Sequence, residues 1–260
     1  QNGEFQVFYQ PKYNLNLDRQ NGCEALVRWY DKSANKYNLP ALFMPLFESN
    51  GFIIKLDKYV YTKVCEYISY SIAEGRMVYP VSVNVSRITA VQPDFISYYS
   101  SIKKQYGISD GQIMIEFTES FAYENYQTLS NIVHELHRSG FKCSIDDFGS
   151  GYSSYVILKY LPMDEIKLDK FFIEKGLSKE RDFCIIESII RVAKDLGMKV
   201  TQEGVEEFED VKRLRQLGCD VIQGYYYSRP MPLSDYISFC ANSRDHNIKW
   251  DLAESGALPQ

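Results

Sequence analysis

No C-x-x-C pair, no basic excess, no long apolar run and no leader-like opening occur in this chain of 260 residues. Each gap removes a class of function. Six cysteines stand singly at positions 23, 65, 143, 184, 219 and 240. Such spacing argues for reduced, mostly buried thiols of a cytosolic protein. The formal charge is −5, from 29 basic and 34 acidic residues. A surface for duplex nucleic acid carries a basic excess, so no such partner is expected. An anionic ligand would need a local site with a cation. No segment approaches the roughly 18 apolar residues of a membrane span. The opening "QNGEFQVFYQ" lacks the basic start and apolar stretch of a signal peptide. It also lacks an initiator Met, so the expectation is a domain excised from a longer protein. The expected setting is the cytoplasm, including the cytoplasmic part of a membrane-anchored protein.

Hydrophobic residues make up 45% of the chain and charged residues 24%, the balance of a globular domain with a large core. The length suits an α/β barrel that folds as one unit. Short apolar or alternating runs read as strands: "FQVFYQPKY", "CEALVRW", "VYPVSVNVS", "IMIEFTE", "KCSIDD", "EIKLD", "KVTQEG" and "VIQGYYY". Helical periodicity separates them from the second onward. It covers Pro40–Gly75 (interrupted at Gly51), Pro93–Tyr106, Asn125–Ser139, Tyr152–Leu161, Arg181–Leu196 and Glu206–Leu217. A last helix is expected near Ser234–Ser243. This alternation predicts a parallel sheet, and eight strands predict a closed (β/α)8 barrel of the TIM type. Between the first two strands lies only "NLNLDRQNG", with a turn-forming Asn21-Gly22. That is too short for a crossover helix, so the first strand should run antiparallel to the rest. The barrel is expected over 1–245, followed by a C-terminal tail over 246–260. Neither low-complexity segments nor internal repeats occur.

In such barrels the reactive residues sit at the carboxyl ends of the strands. Here those ends carry Glu24, Asn84, Glu116 with Glu119, Asp146 with Asp147, Lys167 with Asp169, Glu203 and Gln223. A single acid at a strand end is usually a helix cap or a solvated loop residue. Oxygen-bearing side chains recurring at one level on successive strands are harder to dismiss. Carboxylate and amide oxygens select hard cations such as Mg²⁺ or Mn²⁺. Two such ions roughly 3.5–4 Å apart are a common device for phosphoester displacement. The pair Asp146-Asp147 fits that device if the strand ends there and the backbone turns both acids inward. The glycines of "GSG" would then bend the loop over the site.

The stretches "YQP", "EALVRW", "PVSVNVS", "IEFTES", "DDFGSGYSS", "IKLDKFF", "EGVE" and "QGYYYSRP" resemble the EAL-domain family of cyclic-di-GMP phosphodiesterases. They match in order and spacing, over about residues 5–230. The resemblance implies a (β/α)8 barrel with an antiparallel first strand, as the short connection argues independently. It implies Glu24, Asn84, Glu116 and Asp146 as ligands of one ion, and Asp146 and Asp147 as ligands of a second. Glu203 and Gln223 would complete the site, and Lys167 would orient the attacking water. Glu24, Lys167 and Glu203 are thereby implied as catalytic, with Gln10, Leu26, Arg28 and Gln223 at the substrate. Glu119 would anchor the loop Asp147–Ser154. Ser150 stands where Thr is usual, and Gln202 where Ala is common. The cyclase signature GGDEF is absent.

The function so implied is hydrolysis of cyclic di-GMP to linear pGpG with Mg²⁺ or Mn²⁺, two ions per site. The alternative is a non-catalytic cyclic-di-GMP sensor. A homodimer and fusion to sensor or GGDEF domains are expected partners. Three other signals carry less. "HELH" at 134–137 lies mid-helix without a third ligand. The sequon "NVS" includes Asn84, wanted inside the barrel. "GSGYSS" lacks the lysine of a phosphate-binding loop. The 21 tyrosines read as packing rather than base stacking.

Overall fold

The computed structural model describes residues 3–149, 154–173 and 180–242. The tail expected over 246–260, and Ser150 to Ser153 of the glycine loop, lie outside the described residues. The chain runs β1 (Phe5–Asn14), β2 (Arg19–Asp31), β3 (Lys36–Asn38), α1 (Pro40–Ser49), α2 (Ile53–Ala73), β4 (Val81–Asn84), α3 (Arg87–Ala90) and α4 (Phe95–Gln105). It continues through β5 (Ile113–Thr118), α5 (Glu119–Glu124), α6 (Tyr126–Arg138), β6 (Lys142–Phe148), α7 (Ser154–Tyr160) and β7 (Glu165–Leu168). After a 3₁₀ turn at Lys170–Phe172 come α8 (Glu180–Asp195), β8 (Lys199–Gln202), α9 (Phe208–Gln216), β9 (Val221–Ile222), β10 (Met231–Pro232) and α10 (Leu233–Asn242).

The strand order β1-β9-β8-β7-β6-β5-β4-β2, with β2 back on β1, closes a barrel of eight strands. β1 is antiparallel to both neighbours, and the other joins are parallel. The short connection explains this. Asn14 Oδ1 accepts from the amides of Asn16 (2.9 Å) and Leu17 (2.8 Å), and Asp18 takes φ 49°. The turn therefore sits at 15–18, and the expected turn at Asn21-Gly22 is corrected. Lys12 pairs with Gly22 and Tyr13 with Gln20, so Asn21 is the extra residue of a β-bulge. Asn-Gly is read as a turn because both residues tolerate unusual φ, but neither takes a positive φ here, and the extra residue is absorbed within the strand. Two short strands escaped the sequence: β3 extends β2, and β10 extends β1, each antiparallel.

The parallel strands are apolar on the side facing the helices and polar inside. Val81, Val83, Ile113, Ile115, Cys143, Ile145, Ile166, Leu168 and Val200 are buried. They alternate with Ser82, Glu116, Ser144, Glu165, Lys167 and Thr201, which are buried too. Helices cover the outer side through helical spacing. On α6, Leu129, Val133 and Leu136 share one face and are fully buried, each worth roughly 1.5–3 kcal/mol. Gly51, at φ 74°, separates α1 from α2 as its position predicted. Glu119 opens a separate helix, α5, rather than a loop before the helix expected at Asn125. The described tyrosines mostly pack: Tyr61 stacks on Tyr99 at 4.1 Å, and both are buried. No disulfide forms among the described cysteines. Among described residues, no helix is long and apolar enough to cross a membrane.

Candidate active site

β6 explains how adjacent acids serve one place. Neighbours on a regular strand face opposite ways. Ile145 pairs with Ile166 and Phe148 with Leu168, so three steps on β6 match two on β7. A bulge at 146–147 takes up the difference, and Asp147 turns at φ 55°. The strand continues to Phe148 rather than ending at the acids, so the expected strand end is corrected to a bulge. Asp147 N–H donates to Asp146 Oδ1 at 3.1 Å. Gly149 follows at φ 96°, and a Cβ there would come within 2.3 Å of the Phe172 ring. Its amide donates to Glu119 Oε2 at 2.9 Å.

Inside the barrel, Lys167 is fully buried, and its Nζ joins four carboxylates brought in by four different strands or the residues just after them. These are Glu203 Oε1 at 2.7 Å, Glu116 Oε2 at 2.8 Å, Asp146 Oδ1 at 2.9 Å and Glu24 Oε2 at 3.1 Å. Asn84 donates to Glu24 Oε1 at 2.6 Å, and Gln223 to Glu24 Oε2 at 2.7 Å. Gln223 also donates to Gln10 Oε1 at 3.0 Å, and Gln10 to the Ser228 carbonyl at 3.1 Å. Gly224 keeps the next backbone close. A Cβ there would lie 2.1 Å from the Val205 carbonyl oxygen.

Below this layer lies a lysine that the sequence reading did not single out. Lys12 Nζ contacts Ser82 Oγ at 2.8 Å, Glu116 Oε1 at 2.8 Å and Glu165 Oε1 at 3.3 Å. The signal available was the period-two polar set Gln10, Lys12 and Asn14 on one strand, all buried. A lysine at a strand position is more often solvated, and its acidic partners lie on strands far along the chain.

Five buried or half-buried carboxylates thus face two ammonium groups, and the deficit shows in their acidities. Burial pushes Asp146 well above the usual carboxylate range against the pull of Lys167, and Glu203, Glu116 and Glu24 push the same way. Burial pushes Glu203 up to about 7, again against Lys167, with Glu24 adding to it. Asp147 is raised by burial and by Asp169. Glu116 is the exception. Burial would raise it, but Lys12 and Lys167 together hold it down to about 2. Lys167 is buried, yet the surrounding carboxylates raise it well above its ordinary value.

Two oxygen clusters suit cations. Glu24, Glu116 and Asp146 each offer an oxygen within 4.8 Å of the others, and so do Asp146, Asp147 and Glu203. Asp146 belongs to both. A purely oxygen donor set with excess negative charge fits hard divalent ions. The structure therefore gathers Glu24, Asn84, Glu116, Asp146, Asp147, Lys167, Glu203, Gln223 and Gln10. Leu26 and Arg28 follow Glu24 along β2 at two-residue steps. Arg28 donates to the Val27 carbonyl at 2.8 Å and lies 5.8 Å over the Phe8 ring, and burial lowers its pKa against the opposing charge of Glu24. Gln202 is pinned away from Glu203's carboxylate, donating to the carbonyls of Leu168, Asp169 and Glu203. The "HELH" histidines are structural: His134 meets the Ser130 carbonyl, and His137 meets Asp164 Oδ2 at 2.8 Å.

A family model for the EAL domain matches residues 1–230. The chain is 32% identical over 234 residues to the oxygen sensor protein DosP of Escherichia coli, covering 90% of this chain and 29% of that one. It is 30% identical over 249 residues to the cyclic di-GMP phosphodiesterase RocR of Pseudomonas aeruginosa, covering 93% and 61%. The chain thus spans about a third of the length of several relatives it matches. A solved c-di-GMP complex of the PaMucR phosphodiesterase superposes with a TM-score of 0.84 at 30% identity, covering 90% of this chain and 94% of that one. With these matches across the whole barrel, the chain belongs to the EAL domain family.

Proposed function

We propose that this domain hydrolyses one 3′–5′ phosphodiester bond of cyclic di-GMP to give linear pGpG, using two Mg²⁺ or Mn²⁺ ions. The observation that carries the reading is the convergence of four carboxylates on buried Lys167, with Asp146 common to both oxygen clusters. Relatives named as cyclic di-GMP phosphodiesterases support the substrate. Glu24, Asn84, Glu116 and Asp146 would hold one ion, and Asp146 and Asp147 the other, with Glu203 and Gln223 completing the site. Bound divalent ions supply a lowered water pKa and positive charge beside the phosphoryl oxygens.

The residues do the rest. Asn84 and Gln223 fix the Glu24 carboxylate by donating to its two oxygens. Lys167 brings an ammonium donor to the place where negative charge develops. Glu203, with one oxygen on Lys167, takes the proton of the attacking water at its other oxygen. Gln10, Leu26, Arg28 and Gln223 bind substrate, and Glu119 holds the loop that carries Asp147. We further propose a cytoplasmic homodimer in which this domain is the output unit of a longer protein with sensing or GGDEF domains. The test is incubation with cyclic di-GMP and Mg²⁺ or Mn²⁺, followed by chromatography. The expected product is linear pGpG. Tight binding with the ligand returned intact would favour the sensor reading instead.

A further inference from the structure

We propose that Lys12 is a positioning residue for Glu116, committing one carboxylate oxygen so that Glu116 meets a metal ion through the other alone. This rests on the metal-dependent reading above and deepens it. Lys12 is 4% exposed. An ammonium group has three donors, and Lys12 has three acceptors within reach: Ser82 Oγ, Glu116 Oε1 and Glu165 Oε1. Gly22 is its partner on β2, and the stem makes only ordinary contact there. A Cβ at Gly22 would lie 3.9 Å from Lys12 Cβ and Cδ, and 3.2 Å from the Pro80 carbonyl oxygen.

The layer is one step beneath the acids. Ser82 precedes Asn84 by two residues on β4, and Glu165 precedes Lys167 by two on β7, so each shares a strand face with a residue of the site. Glu116 spans the two layers. Its Oε1 is held by Lys12 from below, and its Oε2 by Lys167 at the rim, each at 2.8 Å. With Oε1 committed to Lys12 below, Glu116 offers an ion at the rim only Oε2, the oxygen that also meets Lys167. Stability alone does not explain this lysine. An apolar pair can replace a buried ion pair without loss, because desolvation offsets much of the attraction.

The experiment measures Mn²⁺ affinity of the substrate-free protein by calorimetry, then kcat and KM for cyclic di-GMP at saturating Mn²⁺. Lys12→Met combined with Glu165→Gln removes both buried charges together and so avoids stranding one. The expected result for this double variant is a Mn²⁺ Kd weakened about 10–100-fold and a kcat lowered comparably, with KM nearly unchanged. Glu165→Gln alone leaves Lys12 on Glu116 and Ser82, and should keep the wild-type Mn²⁺ affinity. A folded double variant with wild-type Mn²⁺ affinity and kcat would overturn the role of Lys12. So would a Glu165→Gln variant that loses as much affinity as the double. A wild-type protein that binds no Mn²⁺ would overturn the metal reading itself, and the Lys12 role with it.

Discussion

Replacing Glu119 by Ala separates loop anchoring from ordinary helix packing. Glu119 is 3% exposed and opens α5, and its Oε2 accepts the Gly149 amide at 2.9 Å. Gly149 stands two residues after Asp147, in a left-handed conformation that packs against the Phe172 ring. A hydrogen bond to a charged acceptor is worth about 1.5–3 kcal/mol. If that bond serves only the fold, its loss should lower Tm by roughly 2–4 °C per kcal/mol, as for domains of this size. If it also holds Asp147 in place, kcat should fall about 10–100-fold, the usual cost of losing a residue that orients a metal ligand. Higher Mn²⁺ should then recover part of the activity. Glu119→Gln retains an acceptor oxygen and should fall between the two. The assay is kcat against metal concentration beside a thermal melt. Wild-type kcat and metal response in a destabilised Glu119→Ala protein would refute the anchoring argument.

Glu24→Ala should lower turnover at least about a hundredfold, since it removes a carboxylate that Lys167, Asn84 and Gln223 all engage; near-normal kcat would count against its assignment as a ligand. Asp57, outside the site, gives a pH prediction. Burial raises it to about 6, although it accepts bonds from Ser86 N–H and Thr89 Oγ1. Its unfolded value is near 3.8, so the folded state holds the proton longer. The associated stability is complete below pH 4 and is lost as pH rises through about 6. A pKa raised by about two corresponds to about 3 kcal/mol. Chemical denaturation of Asp57→Asn should therefore gain about that much relative to the wild type between pH 4 and 7; a difference that stays flat with pH would contradict it.

The barrel was legible because its signals are local. The helix-strand alternation, the apolar runs of β5 and β7, and the nine residues from Asn14 to Gly22 each carry their meaning within a short window. The acids were legible because strand ends are where barrels place them, and Glu24, Glu116, Asp146, Lys167 and Glu203 do meet. What escaped depends on pairing. The bulges at Asn21 and at Asp146-Asp147 exist only relative to partner strands. Neither the Asn-Gly dipeptide nor the double Asp reveals which strand will slip. Lys12 escaped for the same reason, since its burial depends on Glu116 and Glu165, both more than 100 residues away. The start of α5 at Glu119 was hidden because "TES" after a strand reads equally as a loop.

The central claim is tested most directly by one comparison on the purified domain: binding and cleavage of cyclic di-GMP, each measured in excess chelator and after Mg²⁺, Mn²⁺ or Ca²⁺ is restored. Without divalent ions, cleavage should be absent. Mg²⁺ or Mn²⁺ should yield linear pGpG. Ca²⁺, with longer and looser coordination, should support turnover poorly. Full cleavage in excess chelator would contradict the metal-dependent account, and ligand binding without cleavage under every metal would contradict the assignment as an enzyme.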